Sequence, residues 1–252
     1  METLCLIPVY NEDSTIEFLI HEIHKYEVDI LVVDDCSTDK TLEKVKKWDI
    51  KIISNSKRLG KGGCIIKGLK FARKNNYKTL IILDGDLEHN PNLIPLFIRK
   101  ISRYDIVLGQ RCEFRSIQRF ILNRFGAFFF KLLNQNIYDI SCGFKILKIS
   151  SFKQIQFYSK GFEIDLEILL ESLKNELSIG LINIPSRKIE KSHLKISDMI
   201  SSNNYFDKWI ISNINHFKIK THKKILLLVF SYIGLFIGTM LALVVKWKTF
   251  LE

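Results

Sequence analysis

Two hydrophobic rhythms alternate along roughly the first 110 residues. Apolar runs at residues 4–9, 30–33, 50–53, 80–83 and 106–108 are short and dominated by Ile, Leu and Val, with a charge only at Lys51. Such runs predict strands buried on both faces. Between them, residues 14–26, 38–47, 62–75 and 91–101 space their apolar side chains by three and four. Ile16, Leu19, Ile20 and Ile23 do so in the first segment, and Ile65, Ile66 and Leu69 in the third. That spacing predicts helices with one apolar stripe. Strand–helix alternation in turn predicts right-handed crossovers and a mainly parallel, Rossmann-like α/β sheet. The chain has no internal repeat and no low-complexity linker.

Where the apolar runs stop, polar chemistry begins at once. The fourth run ends in Asp84-Gly-Asp86-Leu-Glu88-His89. In an open α/β sheet the carboxyl ends of the strands are the ligand edge. Two carboxylates so close repel unless a cation lies between them. Mg²⁺ or Mn²⁺ suits oxygen ligands and shares its shell with phosphate oxygens. A solvated acidic turn is the plainer alternative. The second run ends in Asp34-Asp35-Cys36-Ser37-Thr38-Asp39, whose carboxylates suit a ribose diol or a base N–H. The same residues suit a helix cap equally well. The first run ends in Pro8-Val9-Tyr10-Asn11-Glu12, a turn able to hold a nucleoside, or a plain strand-to-helix turn. The loop Asn55-Ser-Lys57-Arg58-Leu-Gly60-Lys61-Gly62-Gly63 opens a helix with glycines and cations. It predicts phosphate at the helix N-terminus, although the P-loop spacing is absent. His21 and His24 belong on a solvent face, while His89 adjoins the acidic turn and is a candidate diphosphate contact.

The C-terminal region breaks the rhythm. Residues 225–245 carry no charge, about 21 residues or roughly 31 Å of helix, the thickness of a bilayer core. A transmembrane helix is expected there. Lys218, Lys220, Lys223 and Lys224 precede it, and only Lys246 and Lys248 follow, which predicts a cytoplasmic catalytic domain anchored by a single C-terminal pass. The chain opens on a strand-like run without a secretory signal pattern, in keeping with that orientation. Residues 201–224 read as an amphipathic juxtamembrane segment with Phe206, Trp209, Ile210, Ile214 and Phe217 on one face. Residues 114–133, with Phe120, Phe125, Phe128 and Phe129 among basic residues, read as an interfacial helix or as an ordinary core helix. Gly234 and Gly238 have a spacing that permits helix pairing.

Composition narrows the partners. The 252 residues are 47% hydrophobic with a net charge of +11, so the chain is globular and suited to anionic partners. No nucleic-acid motif is present and the lysines gather near the apolar C-terminal run, which argues against nucleic acid. The five cysteines are scattered without a Cys-x-x-Cys pair, giving neither a zinc site nor a disulfide framework.

The ordered set of Pro8-x-Tyr10-Asn11-Glu12, Asp34-Asp35-x-Ser37-x-Asp39-x-Thr41, the Asn55/Gly60/Gly62 loop and Asp84-x-Asp86 resembles family 2 glycosyltransferases with a GT-A fold. Further stretches resemble the dolichyl-phosphate (polyprenyl-phosphate) mannose synthases and their glucosyl relatives within it. These are Gly109-Gln-Arg111, Asn123-Arg124-Phe-Gly-Ala127, Asp139-Ile-Ser141-Cys142-Gly143-Phe144-Lys145 and Gly161-Phe-Glu-Ile-Asp165-Leu-Glu167. The likeness spans about residues 3–200, so a GT-A domain is expected over 1–200. Three positions depart from it: Lys145 replaces an arginine, Ala127 an asparagine and Glu88 a glutamine. Lysine keeps the charge but loses bidentate phosphate geometry.

The resemblance implies transfer of a hexose from a nucleotide diphosphate sugar (GDP-mannose or UDP-glucose) to dolichyl or polyprenyl phosphate, with inversion and with mannose favoured. It implies nucleotide-sugar contacts from Pro8, Tyr10, Glu12, Asp34, Asp35, Lys61, Asp84 and Gly85. Metal contacts would come from Asp84, Asp86 and Glu88, and the acceptor phosphate would meet Arg111, Arg124, Lys145 and Lys195. Asp84, Asp86, Arg111 and Arg124 would carry catalysis. An anionic phosphate nucleophile needs no strong base. Two competing readings are a membrane-anchored enzyme acting on a hydroxyl acceptor, with Asp165 or Glu167 as its base, and a non-catalytic nucleotide-sugar-binding adaptor.

Overall fold

The computed structural model describes residues 2–112, 117–133, 135–185, 196–217, 219–229 and 231–232. The chain forms two compact units: Met1–Phe114 with Cys142–Ser192, and Arg115–Ser141 with His193–Glu252.

In the first unit the predicted alternation is present as β1 (Thr3–Val9), α1 (Ile16–Ile23), β2 (Asp29–Asp34), α2 (Thr41–Val45), β3 (Lys51–Ser54), α3 (Gly60–Lys74), β4 (Thr79–Ile82), α4 (Ile94–Ile101) and β5 (Ile106–Arg111). Three further elements of this unit lie beyond the alternating region: β6 (Lys145–Lys148), α6 (Ile164–Lys174) and β7 (Ile179–Ile184). The sheet order is β3-β2-β1-β4-β6-β5-β7. All pairings are parallel except those of β6, which lies antiparallel between β4 and β5. The expected mainly parallel sheet is therefore present with one reversed strand.

The apolar runs of β1, β2, β4 and β5 follow from burial on both faces, whereas the edge strand β3 is half-buried to exposed, contrary to the expectation for 50–53. Cys5, Ile7, Val9, Ile30, Val32, Ile81 and Leu83 join a core with Ile16, Leu19 and Ile20 of α1 and Phe97 of α4. Their alternates are buried as well, and Leu6 lies so close under α3 that a Cβ on Gly68 would meet its side chain at 2.3 Å. Strand residues alternate in direction, so one strand set packs on α1 and α4 and the other on α3. Phe144, just ahead of β6, stacks on Phe97 with ring centroids 4.0 Å apart.

The second unit contains α5 (Ile117–Leu132), α7 (Ile196–Asn213) and a helical stretch at 221–229. Here the structure differs from the juxtamembrane reading of 201–224, while for 114–133 the side chains of Phe120 and Phe125 lie outside the described ones. Phe206, Trp209, Ile210 and Ile214, assigned above to one membrane-lying face, are buried. Phe129 of α5 packs edge-on against Phe206 and Phe217, and it and Phe130 are buried. This aromatic face covers protein, because aromatic rings meeting edge to face satisfy one another. Phe128 is exposed. Ile225, Leu226, Val229 and Tyr232 are exposed too, at the start of the expected membrane span. Among the described residues no helix is long and apolar enough to cross a membrane. Residues 233–245 of the expected span lie outside the described residues, as does the Gly234/Gly238 spacing.

Candidate active site

Three strand-end turns converge at the carboxyl edge of the first unit, each containing a non-glycine residue with a left-handed backbone. These are Asn11 (φ 55°), Cys36 (φ 65°) and Leu87 (φ 59°). Such conformations persist only where surrounding contacts hold them, and they gather at functional sites. The contacts are visible. The Asn11 amide donates to Ser37 Oγ at 3.0 Å, the Glu12 amide to Thr41 Oγ1 at 2.7 Å and the Asp13 amide to Asp39 Oδ2 at 3.2 Å. The Ser37, Asp39 and Thr41 pattern read in the sequence thus pins the turn after β1 to the turn after β2. Thr15 then donates to the Gly85 carbonyl at 2.7 Å, tying the same turn to the acidic one.

Asp34 and Asp35 are both buried. Asp34 Oδ1 accepts from the Ser37 amide at 3.3 Å. Asp35 accepts from the Leu59 amide at 2.7 Å, the Gly60 amide at 2.9 Å and Asn55 Nδ2 at 3.0 Å. Burial alone would raise its carboxyl, but these donors hold it below the usual aspartate range. Asp35 is therefore the cap of α3. The amides of Gly62 and Gly63 are also occupied, by the Lys160 carbonyl at 2.8 and 3.4 Å. A Cβ on Gly62 would fall 2.1 Å from the Ser159 carbonyl oxygen. The glycines thus permit a close approach, but of protein backbone: the helix start expected to cradle phosphate is capped by the chain itself. Arg58 lies 3.5 Å over the Tyr10 ring.

Lys61 leaves this helix start and enters the acidic cluster. Its Nζ is 2.6 Å from Asp84 Oδ1 and 2.8 Å from Asp165 Oδ2. Asp165 also pairs with Lys145, and both are buried. Burial disfavours the ammonium of Lys61, yet Asp165 and Asp84 outweigh it and hold its pKa above the usual lysine value. Burial would likewise raise Asp84, and Lys61 with His89 brings it below its ordinary range. Among the described residues Asp86 has no cation in contact, and its Oδ1 accepts from the Glu88 amide at 2.9 Å. Burial and then the Asp84 charge push it up to about 6, and burial followed by Asp86 pushes Glu12 up to about 8. A Cβ on Gly143 would lie 1.9 Å from Asp84 Oδ2, so the absence of a side chain there is what admits the Asp84 carboxylate. Sequence reading saw Gly143 only as part of a motif.

Several candidates occupy places other than those expected. Glu88 is buried and accepts from Arg111 Nη1 at 3.0 Å, and Arg111 is itself only 3% exposed. Among the described residues no three His, Cys, Asp or Glu side chains converge on one point for a metal ion, so the triad Asp84, Asp86 and Glu88 is not assembled as a cage. Lys145 faces Asp165 within the first unit. His89 is buried, with Nε2 4.0 Å from Cys142 Sγ. His21 and His24 are exposed. Glu167 accepts from the Tyr158 and Ser159 amides at 3.0 and 2.9 Å and so anchors the loop ahead of α6. Pro8 pairs with Val33 in the β1–β2 ladder. Arg124 lies on α5, but its side chain falls outside the described ones, and Lys195 lies outside the described residues.

The family model for glycosyl transferase family 2 matches residues 5–156. An uncharacterized protein of Methanocaldococcus jannaschii is 32% identical over 193 residues, covering 70% of this chain and 84% of that one. A dolichol-phosphate mannosyltransferase of Pyrococcus furiosus is 29% identical over 68% of this chain, which spans only 53% of that longer protein. An undecaprenyl-phosphate mannosyltransferase of Micrococcus luteus is 23% identical over 76% of this chain and 85% of its own. Among solved structures, glucosyl-3-phosphoglycerate synthase from Mycobacterium tuberculosis, in complex with Mn²⁺, uridine diphosphate and glucosyl-3-phosphoglycerate, superposes with a TM-score of 0.71. It is 16% identical, over 82% of this chain and 79% of that one.

Proposed function

Because the chain belongs to glycosyl transferase family 2 and is a glycosyltransferase, we propose that it moves a hexose from a nucleotide diphosphate sugar to a polyprenyl phosphate, dolichyl phosphate included. Mannose is the favoured sugar, from the names of two relatives, with glucose the other candidate.

The observation that carries the acceptor assignment is the state of the α6 carboxylates. A hydroxyl acceptor needs a base to take its proton. Glu167 is committed to two backbone amides and Asp165 to two lysines, so neither is free for that task. A phosphate monoester is already anionic near neutral pH. One of its oxygens attacks the anomeric carbon from the face opposite the nucleotide, the bond from that carbon to the diphosphate oxygen breaks, and the nucleoside diphosphate leaves with the electron pair. The sugar is inverted and no proton need move.

The residues present fit a divalent cation. Asp84 and Asp86 are hard oxygen donors, and the carboxyls of Asp86 and Glu12 are raised first by burial and then by the neighbouring carboxylates of the same turn. Asp84 and Asp86 would hold Mg²⁺ or Mn²⁺, which neutralises the departing diphosphate when bound; a structural neighbour is described with Mn²⁺ and uridine diphosphate. The chain's own residues do the positioning. Lys61 offers its ammonium to the diphosphate, Tyr10, Glu12 and Gly85 shape the nucleotide turn, and Arg111 supplies charge toward the acceptor phosphate. Residues 225–245 anchor the chain with its catalytic unit on the cytoplasmic side. The exposed apolar side chains of Ile225, Leu226 and Val229 support that reading.

The test is label transfer. Purified protein in detergent receives Mn²⁺, dolichyl phosphate and radiolabelled GDP-mannose or UDP-glucose, and label is counted in the organic phase. One donor should deliver label, and Asp86→Ala should abolish it. Label moving only to hydroxyl acceptors would overturn the assignment.

A further inference from the structure

The charged groups behind the acidic turn form an alternating line: Asp84, Lys61, Asp165 and Lys145. Lys61 bridges its two carboxylates at 2.6 and 2.8 Å with a side chain only 10% exposed. Asp165 and Lys145 close the line at 4% and 1% exposure. Buried charges are tolerated only when paired, and here the four cancel. Among the described residues each inner group is paired with two opposite charges, whereas Asp84 at the open end is paired with Lys61 alone and feels the His89 ring as its second neighbouring charge.

We propose that Lys61 is a built-in cation that competes with the divalent metal for Asp84, and that Asp165 is the positioning residue that draws Lys61 aside when the nucleotide sugar arrives. This rests on the metal-dependent reading above. The charge balance drives the exchange. A divalent ion entering alone places two positive charges beside the Lys61 ammonium and is repelled. An ion entering with a diphosphate brings matching negative charge, and the diphosphate oxygens give Lys61 a new partner. Asp165 keeps hold of the ammonium meanwhile, so Lys61 moves off Asp84 without losing its other carboxylate partner. Metal and donor must then bind synergistically, each tightening the other by the same factor. An enzyme built this way holds little metal until its donor is present.

Mn²⁺ titrations of the purified full chain, read as loss of the free-ion electron paramagnetic resonance signal, test this without turnover. They are run with no nucleotide, with UDP-glucose and with GDP-mannose. Wild type should bind Mn²⁺ weakly alone and at least tenfold more tightly with the donor it uses. Lys61→Met should tighten binding of Mn²⁺ alone by about tenfold and erase most of that synergy. Asp165→Asn leaves Lys61 to Asp84 entirely and should weaken Mn²⁺ binding by about fivefold, the opposite sign. The double variant Lys61→Met/Asp165→Asn removes one charge of each sign and should match Lys61→Met. A melting curve for each protein excludes unfolding, which could only weaken binding. Equal Mn²⁺ affinity in wild type and Lys61→Met, or a shift of the same sign in Lys61→Met and Asp165→Asn, would overturn the proposal while leaving the metal assignment intact. No Mn²⁺ binding by wild type with either donor would overturn both.

Discussion

At the scale of single residues the site depends on atoms that are missing as much as on those present. Gly143 leaves room for the Asp84 carboxylate, and a methyl group there would stand 1.9 Å from Oδ2. Something must shift, and the carboxylate is the freer party. Gly143→Ala should therefore cost about a hundredfold or more in transfer rate, in the range that misplacing a reacting group costs. The melting temperature should move by only a few degrees. Activity within a few-fold of wild type would show that Asp84 need not stand where it does. Glu167 separates the two acceptor chemistries. As an anchor of two amides it can be replaced by Gln with partial loss of the loop but without losing a base. Glu167→Gln should keep transfer to polyprenyl phosphate within about tenfold, since a general base is worth about a hundredfold or more. Asp84 and Asp86 were legible in the sequence because an apolar run ended on them. Gly143 was not, because its meaning depends on a reversed strand bringing it from far along the chain. Lys61 was legible as a cation but not as the partner of Asp165.

At the scale of elements, strong periodicity was readable and interrupted periodicity was not. β1 through β5 and α1 through α4 announce themselves by runs and by spacing. β6 begins and ends on lysine over only four residues, and its buried Lys145 looks like a solvent edge until Asp165 is found opposite. α6 buries Asp165 and Glu167 among Leu166 and Ile168, so its pattern is amphipathic only to a reader who knows the acids are paired. The start of α3 is the clearest change of role, because its glycines meet Lys160 and its amides meet Asp35. Asp35→Ala should destabilise the fold by about 1–3 kcal/mol, the cost of leaving buried donors without an acceptor, as read from urea unfolding. In α7 the pH dependence runs the other way from an ordinary salt-bridged acid. Burial pushes Asp207 up to about 7 against hydrogen bonds from Ser231 and Asn203. An aspartate in an unfolded chain titrates near 4. The native state therefore binds the proton more tightly, and this site's contribution to stability falls as pH rises from about 4 to about 7. Asp207→Asn should raise the melting temperature at pH 8 and leave it nearly unchanged at pH 4. An equal effect at both values would mean that the carboxyl is not held protonated.

At the scale of the whole molecule the proposed membrane anchoring would draw on two forces that respond differently to solvent. A net charge of +11 attracts anionic head groups at about 1 kcal/mol for each lysine near the surface. That attraction fades over a Debye length of about 8 Å at physiological salt. On the proposed reading the uncharged residues 225–245 would act through the hydrophobic effect instead, and insertion of a full span is effectively irreversible. Phe206, Trp209 and Ile210 are buried in the protein interior, so the proposed anchoring does not rest on them. Full-length protein made with membranes should stay in the pellet through 1 M salt, where the Debye length is about 3 Å, and through alkaline carbonate. Leu235→Arg, placed near the centre of the span at a cost of about 3 kcal/mol, should move a large share of the protein to the supernatant. Release of the unaltered chain by salt alone would make the attachment electrostatic, leave residues 225–245 without a membrane role, and require the lipid acceptor to be reached by a surface-bound enzyme.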